Sequence, residues 1–251
     1  MKLEDGEGVE KLFFELASGS RLSILRELQM ENLKMQEIAN RLDVSATEAF
    51  RQLQRLSEAL LVQRQPEGTF AITQYGKLML QLSSSLDFVF RHRSYFSTHD
   101  VWRLPLRFVN RIGELSQTSL IMDTVESINK GEQMFIEAEQ YAWGIVEHGR
   151  GPELMIPVMT ERISKGVKVK VLIPESLLHA RATPPVAPQN LEVRGISNIP
   201  AIIALTEKEA AICFPLVGGR MDYTGFTGKD PVFMNWVKDL FLHYWEKGKL
   251  S

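Results

Sequence analysis

The chain has 251 residues, 44% hydrophobic and 24% charged, an ordinary globular balance with room for one large core or two smaller ones. A single cysteine, Cys213, excludes an intrachain disulfide framework and a cysteine-rich zinc site. The net charge of −2 does not by itself suggest nucleic acid, but residues 19–113 hold 13 Lys+Arg against 9 Asp+Glu while residues 114–251 hold 14 against 17.

In chain order, Ser20 is expected to cap a helix with an apolar stripe of Leu22, Ile24, Leu25 and Leu28. A second helix over about Met35 to Leu42 buries Ile38, Ala39 and Leu42, and small Ala39 admits a close crossing by the helix that follows. Asp43 falls at the sharp turn between them, where φ is often positive and Asp is better tolerated than most residues. Ser45-Ala46-Thr47-Glu48 reads as a capping box. Behind it Ala49, Leu53, Leu56 and Leu60 share one face, and Thr47, Arg51, Gln54 and Glu58 share the opposite one. Leu61–Gln65 and Thr69–Ile72, joined by Pro66-Glu67-Gly68, read as a hairpin. This order is that of a winged helix-turn-helix, whose third helix enters the major groove of double-stranded DNA. The residues expected to face DNA are Ser45, Ala46, Thr47, Phe50, Arg51, Gln54 and Arg55, with Arg64 on the wing. The helix start at Ser45 adds a positive pole for phosphate.

Thr73 is expected to cap one helix running to about residue 97. It would serve as a linker and homodimer contact, since two recognition helices about one DNA turn apart (~34 Å) read a palindrome better than one. Residues 99–105, ending in Pro105, read as a connector. The domain expectation is therefore 1–77 for the DNA-binding unit, 78–113 for the linker and 114–251 for the rest.

Beyond Thr118 short β-rich runs alternate with helical ones. The strands are expected at Ser119–Met122, Ala142–Val146, Val167–Ile173, Leu191–Val193, Ala201–Leu205 and Ala210–Phe214. Helices are expected near 125–138 and 152–164. Asp230-Pro231 should open a last helix with Phe233, Trp236, Leu240, Phe241, Tyr244 and Trp245 on its broad apolar face. The alternation argues for an α/β layer fold. None of the usual catalytic devices is present: no dinucleotide or phosphate-binding glycine loop, no nucleophile elbow, no zinc-binding histidine or cysteine spacing. Neither catalytic residues, nor a metal, nor a cofactor is expected. Ligands of α/β sheets gather outside the carboxyl ends of strands, which singles out Glu175, Arg181 and Tyr223 as contacts for a small-molecule effector, with Ala182–Gln189 as a lid.

The segments Glu137–Trp143, Glu161–Pro174, Asp222–Pro231 and Trp236…Trp245 resemble archaeal winged-helix transcriptional regulators of the methanogenesis-regulator class. That resemblance implies a phospholipase-D-like C-terminal fold. The catalytic signature of that fold, H-x-K-x-x-x-x-D, fails here: His179 is followed by Arg181, and Val186 occupies the acidic position. The expected class is therefore a winged helix-turn-helix, a long linker helix and a non-catalytic α/β domain. The expected function is that of a cytoplasmic, dimeric, operator-binding regulator that senses a small molecule. A protein–protein adaptor that docks a partner through the same helix is the alternative. No apolar run approaches the ~20 residues of a membrane span, and Met1-Lys2-Leu3-Glu4-Asp5 lacks the apolar region of a signal peptide.

Overall fold

Packing divides the chain into two units, Met1–Ser84 and Ser85–Ser251. The structure, a computed structural model, describes residues 8–148, 155–178 and 189–250.

The first unit opens with α1 (Val9–Leu16) and α2 (Gly19–Met30). Ser18, not Ser20, caps α2, its Oγ accepting the Arg21 N–H at 3.4 Å, because Gly19 and Ser20 already lie within the helix. A short strand β1 (Leu33–Lys34) leads into α3 (Met35–Leu42). Lys34 has no acceptor to offer as a cap, and instead Glu37 accepts the Lys34 N–H at 2.6 Å. Asp43 adopts the left-handed conformation, φ 53°, and turns the chain into α4 (Ala46–Glu58). Then β2 (Val62–Arg64) and β3 (Thr69–Ile72) complete an antiparallel sheet in the order β1-β3-β2. Ile24, Leu25, Leu28, Leu33, Ile38, Leu53, Leu56 and Leu61 form the core. Each buried leucine or isoleucine there contributes about 1.5–3 kcal/mol.

Leu60 departs from the expected register. α4 stops at Glu58, Leu60 turns the chain at φ 59° and is 70% exposed, and Leu61 enters the core in its place. Thr73 staples the next helix, α5 (Gln74–Arg91), to this corner: its Oγ1 accepts the Gly76 N–H at 2.9 Å and donates to the Leu60 carbonyl at 2.7 Å. Gly76 is needed there, since a Cβ would stand 2.1 Å from the Leu61 carbonyl oxygen.

The division between the units falls inside α5. The expected single helix over 73–97 breaks at His92 (φ −104°, ψ 24°), and α6 (Arg93–Phe96) follows as a separate turn. Residues from Phe88 onward are not a free linker: Phe88, Tyr95, Leu104 and Phe108 are buried in the core of the second unit. That unit continues through α7 (Leu106–Val109), a 3-10 turn at Ile112–Leu115, β4 (Ser119–Ile121), α8 (Thr124–Glu137), β5 (Tyr141–Ile145) and α9 (Met155–Ser164). Then come β6 (Lys168–Pro174), α10 (Glu175–Leu178), β7 (Leu191–Ile196), β8 (Ile202–Thr206), β9 (Ala210–Cys213), β10 (Gly225–Gly228), α11 (Pro231–Trp245) and β11 (Lys249–Leu250).

Eight strands form one mixed sheet in the order β11-β7-β6-β5-β8-β9-β10-β4, with β5, β6 and β7 parallel and every other pair antiparallel. The unit is thus mixed α/β with a large sheet. Strand β10 lies in a Gly-rich stretch that reads as a loop, yet a Cβ on Gly225 would stand 2.1 Å from the Ile212 carbonyl oxygen, so strand packing demands the glycine. Phe233, Trp236, Val237, Leu240, Phe241 and Trp245 of α11 cluster with Leu172, Ile203, Leu205 and Ile212 of the sheet, while a separate cluster joins Ala138, Ala142, Ile163, Val167 and Val169. Asp230 caps α11, accepting from Val232 and Phe233 N–H at 3.0 and 3.1 Å.

The basic front anticipated from the sequence does not coincide with a structural unit. Described residues 8–84 hold 9 Lys+Arg and 9 Asp+Glu, because Arg91, Arg93, Arg103, Arg107 and Arg111 all lie past the division.

Candidate nucleic-acid interface

Helix α4 is fixed at its start by the turn and by a cap. The Val44 N–H reaches back to the Ala39 carbonyl at 3.0 Å, and Ser45 Oγ accepts the Glu48 N–H at 3.1 Å. The second half of a capping box is not made. Glu48 instead accepts from Gln52 and from Arg51, the latter at 2.6 Å, and these bonds hold its carboxyl below the usual range.

From behind, a buried polar network grips the same helix. Arg21 donates to Gln52 Oε1 at 2.9 Å, to the Phe14 carbonyl at 2.7 Å and to the Glu15 carbonyl at 2.8 Å. Its Nε also lies 2.9 Å from the Glu15 carboxylate, and both side chains are 7% exposed. The other Glu15 oxygen accepts Arg55 at 2.6 Å. Burial pulls the Arg21 guanidinium below its ordinary value, and Glu15 opposes that shift. The network ties α1, α2 and α4 together and satisfies every charge it buries, which is the condition for burying charge without a large penalty.

The outward side of α4 is different. Thr47, Phe50, Arg51 and Gln54 are all exposed, with Phe50 56% accessible. Among the described residues Gln54 bonds to Glu58 at 3.0 Å and Arg51 to Glu48, both contacts open to solvent. Ser45 is the exposed cap and Ala46 is half-buried beside it. Arg55 stands apart from the other expected DNA contacts: its guanidinium sits on Glu15 and 4.9 Å from the Phe14 ring centre, so it holds α1 to α4. Arg64 on β2 is exposed and has no ion-pair partner among the described residues. Sequence periodicity finds the outer face but misses Glu15, Arg21 and Gln52. An Arg two residues into a helix and a Gln between Arg51 and Leu53 carry no signal of burial.

In the second unit the expected effector contacts do not converge. Glu175 begins α10 at the end of β6 and accepts from Lys249 at 3.2 Å. Tyr223 precedes β10, has φ 65°, and donates to Glu147 at 3.3 Å. Both lie at the same end of the sheet, but β5, β8 and β9 stand between their strands, about 19 Å at the usual strand spacing. Arg181, and the expected lid apart from Gln189, lie outside the described residues.

What surrounds Tyr223 is a satisfied internal network that the sequence did not reveal. His99 Nε2 meets Asp222 Oδ2 at 3.0 Å, and Thr224 Oγ1 donates to the same oxygen at 2.9 Å. Tyr95 stacks on His99 at 3.6 Å, donates to the Thr224 carbonyl at 3.0 Å and accepts the Phe214 N–H at 3.1 Å. Cys213 donates to the Tyr223 carbonyl at 3.1 Å, and burial pushes its thiol up to about 12. It is therefore a protonated, inert thiol at neutral pH. Among the described residues no group of three or more His, Cys, Asp or Glu side chains is placed to hold a metal ion, and no helix is long and apolar enough to cross a membrane.

No protein-family model matches the chain, and no curated protein does. Solved structures similar to it include TrmBL2, described as an archaeal chromatin protein with a novel mode of DNA binding, at 16% identity, 88% coverage of each chain and a TM-score of 0.45. NucT from Helicobacter pylori is similar at 11% identity, over 54% of this chain and 99% of that one, with a TM-score of 0.42. LepI in complex with SAM is similar at 16% identity, over 71% and 55%, with a TM-score of 0.26.

Proposed function

We propose that the first unit is a winged helix-turn-helix that binds double-stranded DNA, and that the chain is a transcription regulator. In this reading α3 and α4 are the helix-turn-helix and β2–β3 the wing. The observation that carries it is the two-sidedness of α4. Its inner face is locked by the core and by the Arg21–Gln52 bond. Its outer face presents Thr47, Phe50, Arg51 and Gln54 to solvent, with hydrogen-bonding side chains suited to base edges and phosphates. A rigid helix with a free polar face is what groove reading requires. The near-zero charge of the unit means that affinity rests on a few placed cations, Arg51 and Arg64, and not on a broad basic field.

The second unit is read as a phospholipase-D-like domain without catalysis, a role supported by the failed signature at His179, Arg181 and Val186. It would carry effector sensing for a cytoplasmic regulator. Pairing of two chains is supported by α5, where Tyr75, Leu78, Leu82, Leu86 and Phe90 recur at helical spacing and are all exposed. The stripe is self-complementary. In an antiparallel pair centred on Leu82, Leu78 faces Leu86 and Lys77 faces Asp87 of the second copy, a symmetric arrangement.

Selection of bound sequences from a random DNA pool, followed by anisotropy titration, tests the reading. Binding should weaken steeply with salt, and Arg51→Ala should cost about 1–3 kcal/mol at the selected site. A chain with no DNA affinity at low salt, or an Arg51→Ala variant with unchanged sequence preference, overturns the assignment of α4.

A further inference from the structure

Helix α11 leaves part of one sheet face open. Tyr141 and Trp143 on β5 pair in register with Lys168 and Lys170 on β6, and Lys170 pairs with Glu192 on β7. Residues in register project to the same face. These five side chains line a cavity of about 670 Å³ at the amino-terminal ends of the three parallel strands, the end opposite Glu175 and Tyr223.

Its walls combine flat aromatic surface with excess positive charge. The Trp143 ring has Tyr141 at 4.9 Å and Phe241, nearly parallel, at 5.3 Å. Lys170 Nζ lies 5.5 Å from Trp143 and 5.0 Å from Trp245, and Lys238 Nζ lies 5.8 Å from Trp143. Against Lys168 and Lys170 the described lining offers one carboxylate, Glu192, at 3.6 Å from Lys170, and Lys238 adds positive charge over Trp143 from outside that lining. Glu207, the acid on the flank of β5, is already committed to the N–H groups of Glu139, Gln140 and Tyr141. Lys168 is exposed and has no carboxylate partner among the described residues. Trp143 Nε1 is out of solvent and has no hydrogen-bond acceptor there either. A buried donor without an acceptor is costly.

We infer that this cavity is a binding site for a small organic anion carrying a planar ring. The lysines take the carboxylate or phosphate, and Tyr141 and Trp143 take the ring. This site is independent of DNA recognition by α4.

The test is calorimetric titration of the full chain, without DNA, with benzoate and with adenosine 5′-monophosphate, against inorganic phosphate and adenosine as half-ligands. At least one of the two ring-bearing anions should bind about tenfold tighter than either half-ligand. The one that binds separates a carboxylate from a phosphate ligand. Lys168→Gln, at an exposed position, should weaken that binding by about tenfold, and Trp143→Leu should weaken it further. Absence of saturable binding by both anions at millimolar concentration overturns the site. So does binding that Lys168→Gln leaves unchanged, which would place the anion elsewhere. A chain that still binds DNA but neither anion leaves the reading of α4 standing.

Discussion

In the first unit the buried polar groups lie directly behind an exposed helix face; in the second they lie behind a strand turn. Glu15, Arg21 and Gln52 fix α4 against its neighbours, and Thr47, Arg51 and Gln54 face solvent on the far side of the same helix. His99, Asp222, Thr224 and Tyr95 fix the approach to β10 and satisfy one another. A buried charge therefore points to a functional surface only through what it holds. The first network immobilises a surface with unmet bonding capacity; the second completes a core.

The largest separation between them should come from Arg21→Ala. It leaves the Glu15 carboxylate with Arg55 and removes the Gln52 partner. With Arg55 still on Glu15 the cost should stay below the about 3–5 kcal/mol of a fully broken buried pair, and thermal unfolding of the first unit and DNA binding should fall together. The corresponding change in the second unit, His99→Ala, leaves Asp222 with Thr224 as a donor. It should cost about 1–3 kcal/mol, seen as a lower melting temperature of that unit, with DNA affinity retained. Loss of DNA binding in His99→Ala with both units folded would show that the second network also serves recognition.

The α5 stripe tests the same contrast at the level of assembly. Leu82→Cys lies on the proposed axis and should form a disulfide-linked dimer with itself under mild oxidation, whereas native Cys213 is buried. Leu78→Cys should cross-link to Leu86→Cys when the two variants are mixed, and neither should link efficiently to itself. Self-linkage at 78 and at 86 would instead indicate parallel helices. Leu82→Glu should give a monomer by light scattering and weaken binding to a two-half-site DNA while sparing a single half-site.

Much of the first unit was legible because its signals are local. The bounds of α3, the left-handed Asp43, the Ser45 cap and the Thr73 cap each follow from residue type within one turn of chain. Periodicity also separated the outer residues of α4 from the inner ones. It could not assign Arg55, which sits at the boundary and is claimed by Glu15, 40 residues earlier. Leu60 misled for a related reason: the apolar spacing continues past the point where the helix ends. In the second unit β10 was hidden because glycine signals a loop locally, while here it serves the close approach of Ile212 from a neighbouring strand. Glu175 and Tyr223 both follow the rule for sheet ligands, but strand order decides whether two such residues meet, and strand order is not local.

The smallest effect expected is a pH dependence confined to the second unit. Burial opposes ionisation of Glu207, but the N–H groups of Glu139, Glu207 itself, Tyr141 and Gln140 together outweigh it and set its carboxyl below the ordinary value of 4.5. A depressed carboxyl pKa stabilises the fold fully above that ordinary value, and the contribution is lost as pH falls through the folded-state value. Melting of the second unit should therefore weaken in this acid window, and Glu207→Gln, which keeps an acceptor but no charge, should lower stability at neutral pH and flatten the acid dependence. Glu48 in the first unit is also held low, but on an exposed helix where screening leaves little of the effect. A Glu207→Gln chain whose acid profile matches the parent would show that these N–H groups do not stabilise the charged form, and the start of β5 would then be held by its strand pairing alone.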